Sequence, residues 1–240
     1  MLILALDTSD ARGSVALLRD ESLLHIEPHA TAEDYSSWLL PAVARTLAAV
    51  KLTMRDVDLY AVAAGPGSFT GVRVGLTTVK AWSEVYAHPI VAVSRLEALA
   101  AEGTGSAPYV AAFVDARRDQ IFAALYRRQA EMLERIDEEM VIAPDKFLEW
   151  SIAKVGSAHL DWVSTDPHCL TQTPQWPSRL ALNESVQQVS PLLAHRVGQI
   201  GYRLAQQNQF TDALSLDANY VRRSDAELFW KGLIRHGTGK

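Results

Sequence analysis

Residues Ala61 to Gly75 run from an unbroken apolar stretch straight into glycines and then into a helical pattern: Ala-Val-Ala-Ala-Gly-Pro-Gly-Ser-Phe-Thr-Gly-Val-Arg-Val-Gly. Val57 to Ala64 predict a buried strand and Thr70 onward predicts a helix, with Gly65 and Gly67 permitting the tight turn between them. Backbone amides converge at such a turn. Gly65 and Gly67 are therefore candidate anion-binding positions, with Ser68 or Thr70 available as N-cap. A steric reading stands beside that one: Gly71 and Gly75, four apart on one face, let the helix approach a neighbour closely. The sequence leaves both open.

Familiar phosphate loops do not match these residues. A Walker A loop needs Gly-Lys-Ser/Thr, and Lys80 lies more than two helical turns further on. A dinucleotide fingerprint needs a different glycine spacing and an acid after the next strand, whereas the strand Ile90 to Val93 ends in Ser94. A nicotinamide site is set aside on these grounds.

The segment Gly65-Pro-Gly-Ser-Phe-Thr-Gly-Val-Arg-Val-Gly75 resembles the signature of the TsaB family, also called YeaZ. Leu4-Ala-Leu-Asp-Thr-Ser9, Asp115-Ala-Arg117 and Tyr220-Val-Arg222 resemble the family's pattern in order and spacing, so the likeness covers nearly the whole chain. It implies an actin-like ATPase fold without catalysis of its own. It also implies a partner, the TsaD-like catalytic subunit that makes threonylcarbamoyladenosine (t6A) in transfer RNA, and a third component, a TsaE-like ATPase. No cofactor is implied for the chain alone; ATP or ADP and magnesium enter with the complex. One departure stands out: the family commonly has His-Ser-Glu where this chain has Tyr35-Ser36-Ser37.

Organisation along the chain supports an α/β class. Strands are expected at 2–6, 13–18 and 23–27, a helix from about 32 to 50, a strand at 57–64, a helix from 70 to 86, a strand at 90–93 and a further helix. After the linker-like Gly103-Thr-Gly-Ser-Ala-Pro108 the pattern restarts, with strands expected at 109–114, 121–127 and 133–142. Ala111-Ala-Phe-Val-Asp115 echoes Ile3-Leu-Ala-Leu-Asp7. Such halves describe two ribonuclease-H-like lobes with mixed sheets flanked by helices, the first at 1–104 and a smaller second at 105–240. Residues 150–179, with three prolines, are read mostly as loop with short elements. Helices are expected at about 191–207 and 225–234, the last packing back on the first lobe.

The 240 residues carry a formal charge of −5 and no long basic run, so contact with transfer RNA is expected to be indirect. No apolar run spans a bilayer and the N-terminus lacks a basic leader region, so no membrane is expected and the cytoplasm is the default location. One cysteine, Cys169, excludes an internal disulfide.

Asp7 ends the first strand in a turn that resembles the phosphate-binding hairpin of actin-like ATPases. It is a candidate magnesium or phosphate contact, or the carboxylate of an Asx-turn, the plainer of the two. His25 and His29 have metal-ligand spacing, but Pro28 and the expected strand separate them and no metal site is assigned. No Gly-x-Ser-x-Gly elbow is present, and Ser68 is read as a cap. An ATP-dependent phosphotransferase built on Asp7 and the glycine turn is the rival function.

The helices at 36–50 and 70–86 carry apolar residues on more than one face, more than one sheet needs. They read either as helices enclosed in a large core or as an interface. The resemblance makes them the surface that docks onto TsaD, or pairs two copies in isolation as a homodimer. Its residues would be Leu39, Leu40, Val43, Leu47, Phe69, Val72, Arg73, Leu76 and Lys80.

Overall fold

The computed structural model describes residues 1–29, 33–129 and 132–221. Strands β1 (Leu2–Asp7), β2 (Ser14–Arg19) and β3 (Ser22–Pro28) form an antiparallel meander. Helix α1 (Tyr35–Ala49) leads through a 3₁₀ turn, Met54–Asp56, to β4 (Leu59–Ala63), α2 (Phe69–Tyr86), β5 (Ile90–Val93) and α3 (Arg95–Ala100). β4 lies parallel to β1 and β5 parallel to β4, giving the order β3-β2-β1-β4-β5.

The second half contains β6 (Tyr109–Arg117), β7 (Gln120–Gln129), β8 (Met132–Arg135), β9 (Met140–Ile142), α4 (Pro144–Val155) and β10 (Leu160–Ser164). It continues with α5 (His168–Thr171), α6 (Trp176–Leu180), β11 (Val186–Gln188) and α7 (Ala194–Gln206). Its order, β8-β7-β6-β10-β11, follows the same path as the first sheet, with β9 added beside β7. Repetition of one mixed sheet gives the doubled ribonuclease-H-like, actin-like architecture that the sequence pattern describes.

Side chains of one strand alternate between two cores because successive Cβ atoms point to opposite faces. From β1, Leu2, Leu4 and Leu6 face outward to α1 and α2, where Leu39, Val43, Leu47, Val72, Leu76 and Val79 meet them. Ile3 and Ala5 face inward, into a core shared by both sheets and filled by Leu96 and Leu99 of α3 and Val197 and Ile200 of α7. On the far side, Phe147, Leu148, Leu170 and Trp176 cover the second sheet. The layers are thus α1/α2, sheet, α3/α7, sheet, α4/α5/α6. Each fully buried Leu or Val contributes about 1.5–3 kcal/mol, so the stack is held chiefly by this burial. No helix among the described residues is long and apolar enough to cross a membrane.

Two expectations are corrected. The strand expected at 133–142 is broken: β8 pairs with Tyr126–Gln129 and β9 with Ile121–Ala123, on either side of a turn where the Glu139 side chain goes inward, 2% exposed. Residues 150–179 hold more regular structure than a loop with short elements. They hold the end of α4, two short helices and β10, which runs parallel to β6 through the middle of the sheet. Two of the three prolines mislead because they start helices: Pro177 occupies a first-turn position and Pro167 is a cap, where a missing N–H costs nothing. The expected helix at 225–234 lies outside the described residues.

Candidate functional site

Asp7 closes β1 with its Oδ1 accepting the Ser9 amide at 2.9 Å and the Ser9 hydroxyl, which is an Asx-turn. Its Oδ2 is buried without a hydrogen-bond partner. The turn is filled from within: the Tyr35 hydroxyl accepts the Gly13 amide at 2.8 Å and donates to the Asp10 carbonyl. Burial, with the Asp7 charge nearby, raises the Tyr35 phenol above its ordinary value, so it stays neutral and able to donate.

The glycine turn packs directly on this hairpin. Gly65 has φ 102°, and its carbonyl accepts the Arg95 amide at 2.7 Å. A Cβ on Gly67 would stand 2.2 Å from the Ser9 carbonyl oxygen, and one on Gly71 2.1 Å from that of Thr8. The Ser68 amide donates to the Ser9 carbonyl at 2.7 Å, while the Ser68 side chain caps α2 by accepting the Gly71 amide. These glycines serve close approach of helix and hairpin. The Gly13 and Ser68 amides, which flank the hairpin and the glycine turn, are both bonded within the chain.

Between the halves lies a cleft of about 870 Å³ whose lining includes Asp10, Tyr35, Gly67, Arg95, Asp115 and Arg117. Arg95, 2% exposed, forms an ion pair with Asp10, and Arg12 extends the network to Asp166 at 3.2 Å. Burial pushes the Asp10 carboxyl up, yet the Arg95 charge, the Arg12 amide and the Arg12 charge together hold it below its ordinary value. Asp115 accepts the Arg117 amide at 2.7 Å in the turn after β6, where Arg117, Arg118 and Asp119 all have positive φ.

A second hollow, about 480 Å³, runs between α1 and α2 and is lined by Tyr35, Leu39, Leu40, Phe69, Arg73 and Val74 among others. Of the residues expected at a partner surface, Leu39, Val43, Leu47, Val72 and Leu76 are at most 5% exposed. That part of the expectation is corrected: these side chains lie on the helix faces turned to the sheet, and only Leu39 also floors the hollow. Leu40 and Phe69 are 57% and 43% exposed, Arg73 is exposed and Lys80 is half-buried. The Arg73 guanidinium lies 3.5 Å from the Phe69 ring centre, and its Nε donates to the Tyr220 hydroxyl at 2.7 Å. Tyr220 packs on Phe69 with ring centres 5.6 Å apart.

Sequence reasoning placed Tyr35 and Tyr220 only within motifs and missed Arg95, Glu97 and Glu139 as interior charges. Glu139 stands in the acidic run Asp137-Glu-Glu139, and Arg95 and Glu97 alternate with apolar residues after Ser94, where a charge reads equally as the exposed face of a helix. The ring nitrogens of His29 each lie 2.8 Å from a carbonyl oxygen, of Ala11 and Glu33, so that residue is committed to the backbone. Among the described residues, no group of three or more His, Cys, Asp or Glu could hold a metal ion.

A family model described as TsaD, tRNA N6-adenosine threonylcarbamoyltransferase, matches residues 23–175. Over 145 residues the chain is 36% identical to the tRNA threonylcarbamoyladenosine biosynthesis protein TsaB of Bacillus subtilis, covering 60% of this chain and 63% of that protein. It is 32% identical over 149 residues to the Escherichia coli protein of the same name, covering 60% and 64%. The chain thus spans just under two thirds of the length of these curated relatives. Among solved structures, YeaZ from Pseudomonas aeruginosa superposes with a TM-score of 0.76 at 27% identity, over 91% of this chain and 99% of that one.

Proposed function

The chain belongs to the TsaB (YeaZ) family, and from that membership we propose that it is the non-catalytic subunit that binds and activates a TsaD-like enzyme transferring threonylcarbamoyl to adenosine in transfer RNA. The observation that carries this reading is the hollow between α1 and α2, with Leu40 and Phe69 left exposed at its edges. Helices from a partner laid along it would bury that surface and complete a bundle. The binding energy would favour the active arrangement of the partner, a shift in population and not a chemical step.

On this reading the chain needs no cofactor of its own, ATP or ADP and magnesium enter with the complex, and a TsaE-like ATPase is the third component. Transfer RNA is reached through the partner, the site of action is the cytoplasm, and in isolation the same hollow pairs two copies of the chain. The phosphotransferase rival is disfavoured by the use of the Gly13 and Ser68 amides within the chain.

Solution mass by light scattering, alone and with the cognate TsaD-like protein, tests the proposal. Leu40→Glu is the variant to use, because Leu40 is 57% exposed whereas Leu76 is 4% exposed and its replacement would disturb the core. A self-dimer replaced by a heterodimer, both lost in Leu40→Glu, is expected. A wild-type chain indifferent to the TsaD-like protein would overturn it, and tight magnesium-dependent ATP binding by the isolated chain would favour the rival.

A further inference from the structure

Glu139 stands where three parts of the chain meet. Its carboxylate accepts the hydroxyl of Ser94, which caps α3, and the side-chain amide of Asn219 at 2.5 Å, while an Arg135 guanidinium nitrogen lies 3.5 Å away. Ser94, Glu97, Tyr126, Arg135 and Asn219 line a cavity of about 390 Å³ beside it. Glu97 sits in the first turn of α3, and the Ser94 hydroxyl that donates to Glu139 also accepts the Glu97 amide at 3.2 Å, so two acidic residues from different halves meet at one side chain.

Asn219 carries that space outward. Its own amide donates to the Ala64 carbonyl at 2.8 Å, just before the glycine turn. The next residue is Tyr220, which packs on Phe69 and accepts from Arg73. Consecutive residues therefore link a buried carboxylate to the exposed rim of the hollow between α1 and α2. We infer that residues 216–221 form a strap coupling the Glu97–Glu139 pair to the Phe69–Arg73 rim, so that the charge on the pair sets how the rim is presented to a partner protein. The inference deepens the function proposed above and rests on it for the identity of the partner.

Like charges held near one another and away from solvent cannot both ionise without cost. Burial pushes the Glu97 carboxyl up to about 7, with Glu139 adding to the rise and Arg135 opposing it. Tyr126, held neutral chiefly by burial, supplies no countercharge. On its other side Glu97 borders Arg128, Arg196, Arg203 and Glu21. Those arginines are matched elsewhere: Arg128 with Asp161 at 3.2 Å, Arg196 with Glu102 at 3.0 Å and Arg203 with Glu21 at 2.6 Å. Ionised Glu97 thus faces Glu139 with Arg135 as the shared cation. The repulsion is relieved by displacing Glu139 or by hydrating the cavity, and either loosens its hold on Asn219.

Two measurements test this. Amide exchange over residues 216–221 in the isolated chain, corrected for intrinsic rates, should show several-fold more opening at pH 8.5 than at pH 6, and no such difference in Glu97→Gln. Calorimetric affinity for the cognate TsaD-like protein should weaken roughly fivefold across the same range, a typical size for coupling between sites. It should be flat in Glu97→Gln, and flat but weak in Asn219→Ala. A wild-type strap whose opening ignores pH, or a Glu97→Gln variant that keeps the wild-type slope, overturns the coupling whatever the partner does. A strap that answers to pH in a chain that binds no TsaD-like protein supports the coupling and overturns the partner reading instead.

Discussion

The Tyr35 hydroxyl accepts the Gly13 amide at 2.8 Å, so a side chain from the first residue of α1 closes the turn between β1 and β2. Tyr35 also lines both the cleft and the hollow between α1 and α2. In Tyr35→Phe the Gly13 amide and the Asp10 carbonyl lose their partner, at an expected cost of about 1–3 kcal/mol. Urea denaturation of the variant against wild type measures it. An unchanged midpoint would show that water replaces the hydroxyl at no cost.

Gly71→Ala separates helix propensity from packing. Alanine favours an α-helix over glycine by about 1 kcal/mol in isolation. Here the added carbon would stand 2.1 Å from the Thr8 carbonyl oxygen, a backbone atom that cannot swing aside. A net loss of about 1–3 kcal/mol is expected, read as a lower midpoint in the same denaturation experiment.

Glu97→Gln should alter the pH dependence of stability. The folded carboxyl titrates at about 7, above its ordinary value of 4.5, with burial the main cause. A raised folded value means that the contribution of Glu97 is fully present below pH 4.5 and is lost as pH rises through 7. Wild type and Glu97→Gln should therefore be close in stability at pH 5, with the variant the more stable at pH 8. Equal differences at both pH values would show that Glu97 titrates normally.

Asp10→Asn removes the partner of a guanidinium that is 2% exposed. Stranding a buried charge costs about 3–5 kcal/mol, and Asp10→Asn combined with Arg95→Met should recover much of that. Because the Asp10 carboxyl is lowered when folded, its contribution is present above the ordinary carboxylate range and is lost as pH falls through the folded value. Thermal melts at pH 7 and pH 3 should show the gap between wild type and Asp10→Asn narrowing in acid.

Leu40→Ala and Leu76→Ala should part company. Leu76 is 4% exposed against the first sheet, so its truncation is expected to cost about 2–5 kcal/mol. Leu40 is 57% exposed, and its truncation should stay within about 0.5 kcal/mol while weakening attachment of the TsaD-like protein. Denaturation and calorimetry on both variants check the pair.

The sequence by itself determined the order of elements through most of the chain. Apolar runs and periodicity mark Leu2–Asp7, Leu59–Ala63 and Ile90–Val93, and the break at Gly65–Gly67 marks the passage into α2. Those signals are local, so they survive without knowledge of what packs where. The glycine spacing also announced a close approach, though it could not say whether a ligand or the chain's own hairpin would fill the turn.

Only the tertiary structure supplied the neighbour, by placing the backbone of Thr8 and Ser9 against the glycine turn and the start of α2. It also decided which face of α1 and of α2 is spent on the sheet, leaving Leu40 and Phe69 outside while Val43 and Val72 are enclosed. Pairings such as Asp10 with Arg95 and Glu139 with Asn219 join residues 85 and 80 positions apart. Such contacts depend on strand order and crossover path, and the polar residues that make them look in sequence like any solvated charge.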